Sequence, residues 1–305
     1  MFNPYHPEPA KIVKITPQTE TISLFRFEFI QKVWGYNFSF KPGQFIELSI
    51  PGYGEAPFAP CNAPDTNYLE LCIRDAGRLT HKLHTLKIGD KIGIRGPYGN
   101  GWPVGKNSHS DPPVGGEESP ANAGSNKLID SSSRRSGTRN DKTNLLIVVG
   151  GLGLIPLRAL IIGKDKYLGQ DAKIQIFYGA RSPKEMLFRY EYSRWRDNGV
   201  KIDLTVDQIC LDWAGCVGLV TALFDKFPVA ADSQAFLCGP PVMYRSTLEK
   251  LKKQGVADQN IYLSLERRLH CGLGVCQHCA VGPYYTCKDG PVFSYDKIKN
   301  IPGAI

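Results

Sequence analysis

Apolar and polar positions alternate through AKIVKITPQTETISLFRFEF, with Ile12, Ile15, Ile22, Leu24 and Phe27 as apolar members. A period of two predicts strands with one buried face. KPGQFIELSI opens in a Pro-Gly turn and runs into a strand, TNYLELCIRD reads as another, and KIGDKIGIRGPYG as a further turn and strand. Short strands punctuated by Gly and Pro predict a small antiparallel barrel over residues 10–100.

Residues 104–143 break this texture. They are rich in Gly, Ser, Pro, Asn and Asp, lack aromatics, and carry only Val104, Val114, Leu128 and Ile129 as branched aliphatics. Such a segment buries too little to offset its ordering entropy, which predicts a flexible inserted linker. Arg134, Arg135 and Arg139 leave a partner-binding arm as the alternative reading. From Asn144 strands and helices alternate. LLIVVG, KIQIFYG, VKIDLTVD, QAFLCGP and IYLSLE read as strands. Helices are expected from Ile155 and over SPKEMLFRYEYSRWRDNG, TALFDKF and PVMYRSTLEKLKKQG. All-apolar strands between helices predict an open parallel α/β sheet. The expected domains are 1–103, 144–263 and 264–305, with 104–143 as the insertion.

Composition adds bounds. The chain has 305 residues, 42% of them hydrophobic, and a formal charge of +8. That excludes a wholly disordered chain. The charge permits an acidic partner or nucleic acid, but a mildly basic enzyme is the commoner case. MFNPYHPEPA does not have the basic start and apolar run of a signal peptide. The apolar stretch Leu145–Gly163 is interrupted by glycines, Pro156 and Arg158, so it reads as strand, turn and helix rather than a span. The expectation is a cytoplasmic protein without membrane insertion.

Cysteine placement is more informative. Cys61, Cys72, Cys210, Cys216 and Cys238 are scattered and read as small buried hydrophobes. Cys271, Cys276, Cys279 and Cys287 have the spacing C-x4-C-x2-C-x7-C. That is the plant-type [2Fe–2S] spacing, with Gly272 and Gly274 letting the loop curl and turn amides toward sulfur. Tetrahedral zinc is the rival for four thiolates, although structural zinc sites usually pair two short knuckles. His270 and His278 flank the ligands and read as neighbouring groups.

VVGGLGLIP, with Gly150, Gly151 and Gly153, follows a buried strand and opens a helix. Glycines let a diphosphate approach the backbone, and the helix N-terminus favours its charge. A tight structural turn is the alternative. Cys238, Gly239 and Pro240 sit at the end of a later strand, where open α/β sheets bind ligands.

Together the strand barrel, GGLG turn, YGAR, CGPP and ERRLHCGLGVCQHCAVGPYYTCKDGPVF resemble the ferredoxin–NADP reductase-like flavoproteins. The chain is most similar to their electron-transfer subunits with a C-terminal [2Fe–2S] cluster, of the dihydroorotate dehydrogenase, sulfhydrogenase gamma and anaerobic sulfite reductase B kinds. The resemblance implies a Greek-key FAD-binding barrel (1–103), an NAD(P)-binding α/β domain (144–263) and a small iron–sulfur domain (264–305). It implies FAD contacts at Pro57, Phe58, Ala59 and Cys61, although the arginine and hydroxyl of the family's Arg-x-Tyr-Ser motif are absent. It also implies that Gly77, Leu79 and Thr80 hold the FAD diphosphate, for which a capped helix is the plain alternative. Gly150, Gly151, Gly153, Gly179, Arg181, Asp207, Cys238, Gly239 and Pro240 are the expected NAD(P)H contacts, and Cys271, Cys276, Cys279 and Cys287 the cluster ligands.

The chemistry expected is a change of electron currency. Nicotinamide gives hydride, the cluster takes single electrons, and a flavin joins the two. No side chain is assigned an acid–base role. Electrons pass to or from a redox partner subunit such as a hydrogenase, sulfite reductase or other dehydrogenase. The rivals are a stand-alone NAD(P)H diaphorase or reductase for a transient acceptor, and a zinc-stapled non-enzymatic binding module. YGARSPK offers Arg181 and Lys184 to a 2′-phosphate, which favours NADPH. Asp207 at the end of VKIDLTV offers a carboxylate to a ribose hydroxyl and repels that phosphate, so NADH is favoured.

Overall fold

The computed structural model describes residues 4–30, 38–63, 65–104, 144–209, 211 and 213–305. The expected linker 104–143 lies outside the described residues except for Val104.

The first sheet contains β1 (Glu8–Pro17), β2 (Ile22–Phe29), β3 (Phe45–Ile50), β4 (Gly54–Phe58), β5 (Leu69–Arg74) and β6 (Lys91–Tyr98), with α1 (Arg78–Thr85) between the last two. The order is β4-β3-β6-β1-β2-β5, every pair antiparallel. Just beyond β4, Pro60 bridges Leu71 of β5, and the Cys61 amide donates to the Glu70 carbonyl at 2.9 Å. These contacts join the two ends of the strand order and close the barrel. Inward positions such as Ile12, Phe25, Phe27, Ile46, Leu48, Leu69, Leu71 and Ile94 fill it, as the alternation predicts.

The second sheet begins with β7 (Asn144–Gly150), which leads through a 3₁₀ turn at Gly151–Leu154 into α2 (Ile155–Ile162) and α3 (Lys164–Leu168). Then come β8 (Lys173–Ala180), α4 (Tyr192–Asp197), β9 (Val200–Val206), β10 (Cys216–Val217), α5 (Leu223–Lys226), β11 (Gln234–Cys238), α6 (Pro241–Lys253) and β12 (Ile261–Ser264). The tail holds a hairpin of β13 (Ala280–Val281) and β14 (Tyr284–Tyr285), then β15 (Val292–Ser294) and α7 (Tyr295–Ile298). The strand order is β10-β9-β8-β7-β11-β12-β15, parallel until β15 adds antiparallel to β12. The chain winds outward from β7 through β8 and β9, then returns to β11 on the other side. The order therefore reverses between β7 and β11, the place where open α/β sheets take ligands at the strands' C-terminal ends.

One expected element is different. A single helix over 182–199 is replaced by short 3₁₀ turns at Pro183–Glu185 and Arg189–Glu191 followed by α4. Phe188 takes a left-handed conformation, φ 54°, and interrupts it. The Leu187 amide donates to the Tyr178 hydroxyl and the Tyr192 hydroxyl to the Leu187 carbonyl. Tertiary hydrogen bonds thus replace the helical ones. Barrel and sheet also share packing. Ile22, Leu24, Cys61, Cys72 and Trp102 join the core beneath the parallel sheet, and the Trp102 ring stacks on Phe236.

Candidate functional site

β7 and β11 run in register, Cys238 beside Val149, while Gly150 pairs with Gly179 of β8. The turn after β7 lies tight against the end of β11. A Cβ added at Gly153 would lie 2.0 Å from the Cys238 carbonyl oxygen, so glycine is required there. Gly239 stands at φ 158°, and a Cβ on it would press on the Gly150 amide at 3.0 Å. A side chain at either place would push the strand ends apart, so the turn and the end of β11 meet backbone to backbone. Pro240 and Pro241 then lead into α6, where a missing amide costs nothing. The Cys238 thiol is buried, which pushes its pKa up to about 12 and keeps it neutral.

Ala180 and Val206 pair at the ends of β8 and β9, so Arg181 and Asp207 begin neighbouring loops, both exposed. The Asp207 amide donates to the Ala180 carbonyl at 3.0 Å, which holds the two loops together.

On the barrel, Pro57, Phe58 and Ala59 lie half-buried at the end of β4. Cys61 is fully buried. Its amide and thiol both point at the Glu70 carbonyl, and its own carbonyl accepts from Arg158 Nη1 at 2.8 Å. The Asn62 side chain is spent within its loop, on Ala63, Thr66, Tyr68 and the Glu70 amide. These groups of Cys61 and Asn62 are satisfied within the protein. Gly77 caps α1, and the Thr80 hydroxyl accepts from the Ala76 and Gly77 amides at 3.0 and 2.9 Å. Leu79 packs in the barrel core.

The four cysteines lie on one loop and hairpin of the tail, and two of them meet. Gly272, Gly274 and Gln277 all take positive φ and curl the loop. The β13–β14 hairpin returns Cys287 to Cys279, and their sulfurs lie 3.3 Å apart. The Gly274 amide points at Cys287 Sγ at 3.0 Å, and the Leu273 and Cys276 amides at Cys271 Sγ at 3.3 and 3.5 Å. Amides aimed at sulfur stabilise thiolate charge, which suits a cluster. Cys279 and Cys287 are buried against Phe45 and Tyr98 of the barrel, whereas Cys271 and Cys276 are nearer the surface. Among the described residues no three His, Cys, Asp or Glu side chains form a group that could hold a metal ion. His270 and His278 pack edge to face, 4.5 Å apart, and His278 Nδ1 lies 3.0 Å from the Cys276 carbonyl.

Sequence reasoning missed a buried carboxyl group between barrel and loop. Glu47, on β3, is 1% exposed, and its Oε1 has no hydrogen-bond partner among the described residues. Burial, with Glu55 adding to it, raises the Glu47 pKa to about 8. Glu47 lies between the inward Ile46 and Leu48, so alternation reads it as an outward, solvated position, and nothing local signals that it is covered.

Three family models match in succession. An oxidoreductase FAD-binding domain matches residues 9–102, an oxidoreductase NAD-binding domain residues 147–249, and the iron–sulfur cluster binding domain of dihydroorotate dehydrogenase B residues 266–299. Sulfhydrogenase 2 subunit gamma of Pyrococcus furiosus is 37% identical over 293 residues, spanning 90% of this chain and 88% of that one. A probable dihydroorotate dehydrogenase B (NAD(+)) electron transfer subunit of Methanocella arvoryzae is 30% identical over 272 residues, 88% of this chain and 83% of that one. Among solved structures, the NADH-dependent reduced ferredoxin-NADP oxidoreductase covers 99% of this chain and 94% of its own at TM-score 0.64 and 21% identity, a likeness of fold. No helix among the described residues is long and apolar enough to cross a membrane.

Proposed function

The chain belongs to the ferredoxin–NADP reductase-like electron-transfer subunits of the sulfhydrogenase gamma and dihydroorotate dehydrogenase B kind, and from that premise we propose how its residues divide the work. It is an NAD(P)H-dependent oxidoreductase with FAD-binding, NAD-binding and iron–sulfur-binding parts. We assign them to residues 1–103, 144–263 and 264–305. A flavin supplies the exchange between hydride and single electrons. The protein binds and orients.

The C-terminal ends of β7 and β11 take NAD(P)H. Gly150, Gly151, Gly153 and Gly239 admit the diphosphate to the backbone, and Gly179 keeps the next strand end equally bare. Asp207 accepts from the adenosine ribose, favouring NADH, with Arg181 beside it. The end of β4 holds the flavin ring against Phe58, and Gly77 and Thr80 at the start of α1 hold its diphosphate. Thr80 keeps that loop's amides oriented through its capping bonds.

Cys271, Cys276, Cys279 and Cys287 hold a [2Fe–2S] cluster. The supporting observation is the sulfur arrangement: one close pair, Cys279 and Cys287, and amides that point at sulfur on both sides of the loop. A two-iron centre takes two thiolates on each iron, which the pair suits. From the half-exposed edge at Cys271 and Cys276, electrons pass to or from a redox subunit of a hydrogenase, sulfite reductase or other dehydrogenase.

The carrying observation is that the cysteine loop is built onto the same barrel that carries the flavin strand. The test is the visible spectrum and metal content of anaerobically purified protein. Flavin bands with iron and sulfide in equal amounts are expected. Colourless, zinc-containing protein would overturn the reading.

A further inference from the structure

Arg95 lies on β6 and is 7% exposed. All five of its N–H donors are used. Nε and Nη2 grip the Glu55 carboxylate at 2.7 and 2.6 Å. Nη1 donates to the Tyr98 hydroxyl at 3.0 Å and the Cys271 carbonyl at 2.6 Å, and Nη2 also donates to the His270 carbonyl at 2.7 Å. Glu55 sits on β4, the strand that ends in Phe58. Cys271 opens the cysteine loop. One rigid guanidinium thus bridges the strand assigned to the flavin and the backbone of the first cluster ligand, which lie far apart in sequence.

Nearby contacts reinforce the bridge. The Tyr98 hydroxyl donates onward to the Pro4 carbonyl at 2.9 Å. Its ring lies so close to Gly272 that an added Cβ would meet it at 2.9 Å. Asn100 donates to the Asp289 carbonyl at 2.7 Å and accepts from the Val292 amide at 3.2 Å, clamping the far side of the tail. A pair retained for stability alone has no need to reach both redox sites. A lysine has neither the fork nor five donors.

We propose that Arg95 is a positioning residue: it holds the flavin strand and the first cysteine loop at one separation and so sets the rate at which electrons cross between the two redox sites. The proposal rests on the cofactor assignment above. The step moves two electrons, one at a time, from reduced flavin, which is oxidised and releases the hydride's hydrogen to water as a proton, to the oxidised cluster, which is reduced and then reoxidised by the partner before it takes the second. NAD(P)H supplies the pair as hydride, and the partner subunit's acceptor takes the electrons up. The fixed positive charge beside Cys271 also favours the reduced cluster.

The test is anaerobic stopped-flow of the full chain, following flavin and cluster bleaching separately. In Arg95→Gln the flavin phase is expected to keep its native rate. The cluster phase slows about tenfold or more, because two charged hydrogen bonds to the loop are lost. The cluster midpoint potential falls. Amide exchange over residues 270–276 quickens whether or not the cluster is loaded. Arg95→Lys restores the potential more than the rate. A native cluster phase in the loaded Arg95→Gln protein overturns the proposal, and so does unchanged exchange. If that variant fails to load, Glu55→Gln frees the flavin strand and leaves the loop bonds in place. A slowed cluster phase there supports the proposal and a native one overturns it. Native protein without flavin or iron would instead overturn the cofactor assignment, before any variant is compared.

Discussion

Arg158 on α2 and Glu70 on β5 meet at 2.9 Å across the seam between parallel sheet and barrel. Both side chains are more than nine-tenths buried. Arg158 also binds Glu191 through Nε and Nη2, and its guanidinium lies 4.6 Å over the Phe188 ring. Arg26 donates to the other Glu70 oxygen at 2.8 Å. The two domains are therefore joined by an interior network of alternating charge, in which each carboxylate has a cation.

Replacing Arg158 with Met leaves Glu70 and Glu191 facing each other's side of the seam without their shared cation. Removing one member of a buried ion pair costs about 3–5 kcal/mol. Arg158→Met should lower the denaturant midpoint accordingly, and Arg158→Met with Glu191→Gln should recover part of the loss. Equilibrium unfolding monitored by tryptophan fluorescence checks both.

Glu47 gives a pH dependence of definite sign. Its folded pKa, about 8, lies above the ordinary carboxyl value of 4.5. Between those values the folded protein holds a proton that the unfolded chain has released. The contribution is complete below pH 4.5, declines through the window, and is gone above pH 8. Glu47→Gln removes that decline, which amounts to at most on the order of 5 kcal/mol. Unfolding midpoints of the two proteins from pH 5 to pH 9 should therefore cross toward the variant as pH rises, in the window that Glu47 sets.

Cys276→Ser tests the ligand assignment. Iron content should fall sharply while FAD stays bound and NAD(P)H still bleaches it, because the cysteine loop and the barrel elements proposed to hold the flavin are separate. Metal analysis beside the flavin spectrum reads both. Unaltered iron would remove Cys276 from the ligand set.

Asp207→Ser should shift nucleotide preference toward NADPH. A carboxylate beside a 2′-phosphate costs on the order of 1–4 kcal/mol at intermediate dielectric, so the NADPH/NADH ratio of kcat/KM should rise roughly tenfold. A constant ratio would mean that Asp207 faces away from the ribose.

Local signals carried much of this protein into view. Alternation marked the barrel strands, apolar runs marked the parallel ones, and spacing alone picked out Cys271, Cys276, Cys279 and Cys287. Gly153 was legible as a tight turn, and the reason for it, the Cys238 carbonyl beneath, needed the fold. Side-chain partnerships across long sequence separations were not legible. Arg95 reaches Cys271 across 176 positions and Arg158 reaches Glu70 across 88, and no periodicity records such pairs. Propensity also misled over 182–199, where Phe188 in a left-handed conformation overrides an amphipathic run. The contacts of Cys61 with Glu70 and Arg158 were likewise not legible, since they join residues 9 and 97 positions away.

β15 returns from the cysteine tail to lie along β12. Protein shortened before that strand would expose β12 as a bare sheet margin of unpaired amides and carbonyls, a template for another chain. A truncation meant to yield a simple cluster-free reductase should therefore yield a self-associating one. Cysteine replacement within the intact chain is the cleaner way to remove the cluster.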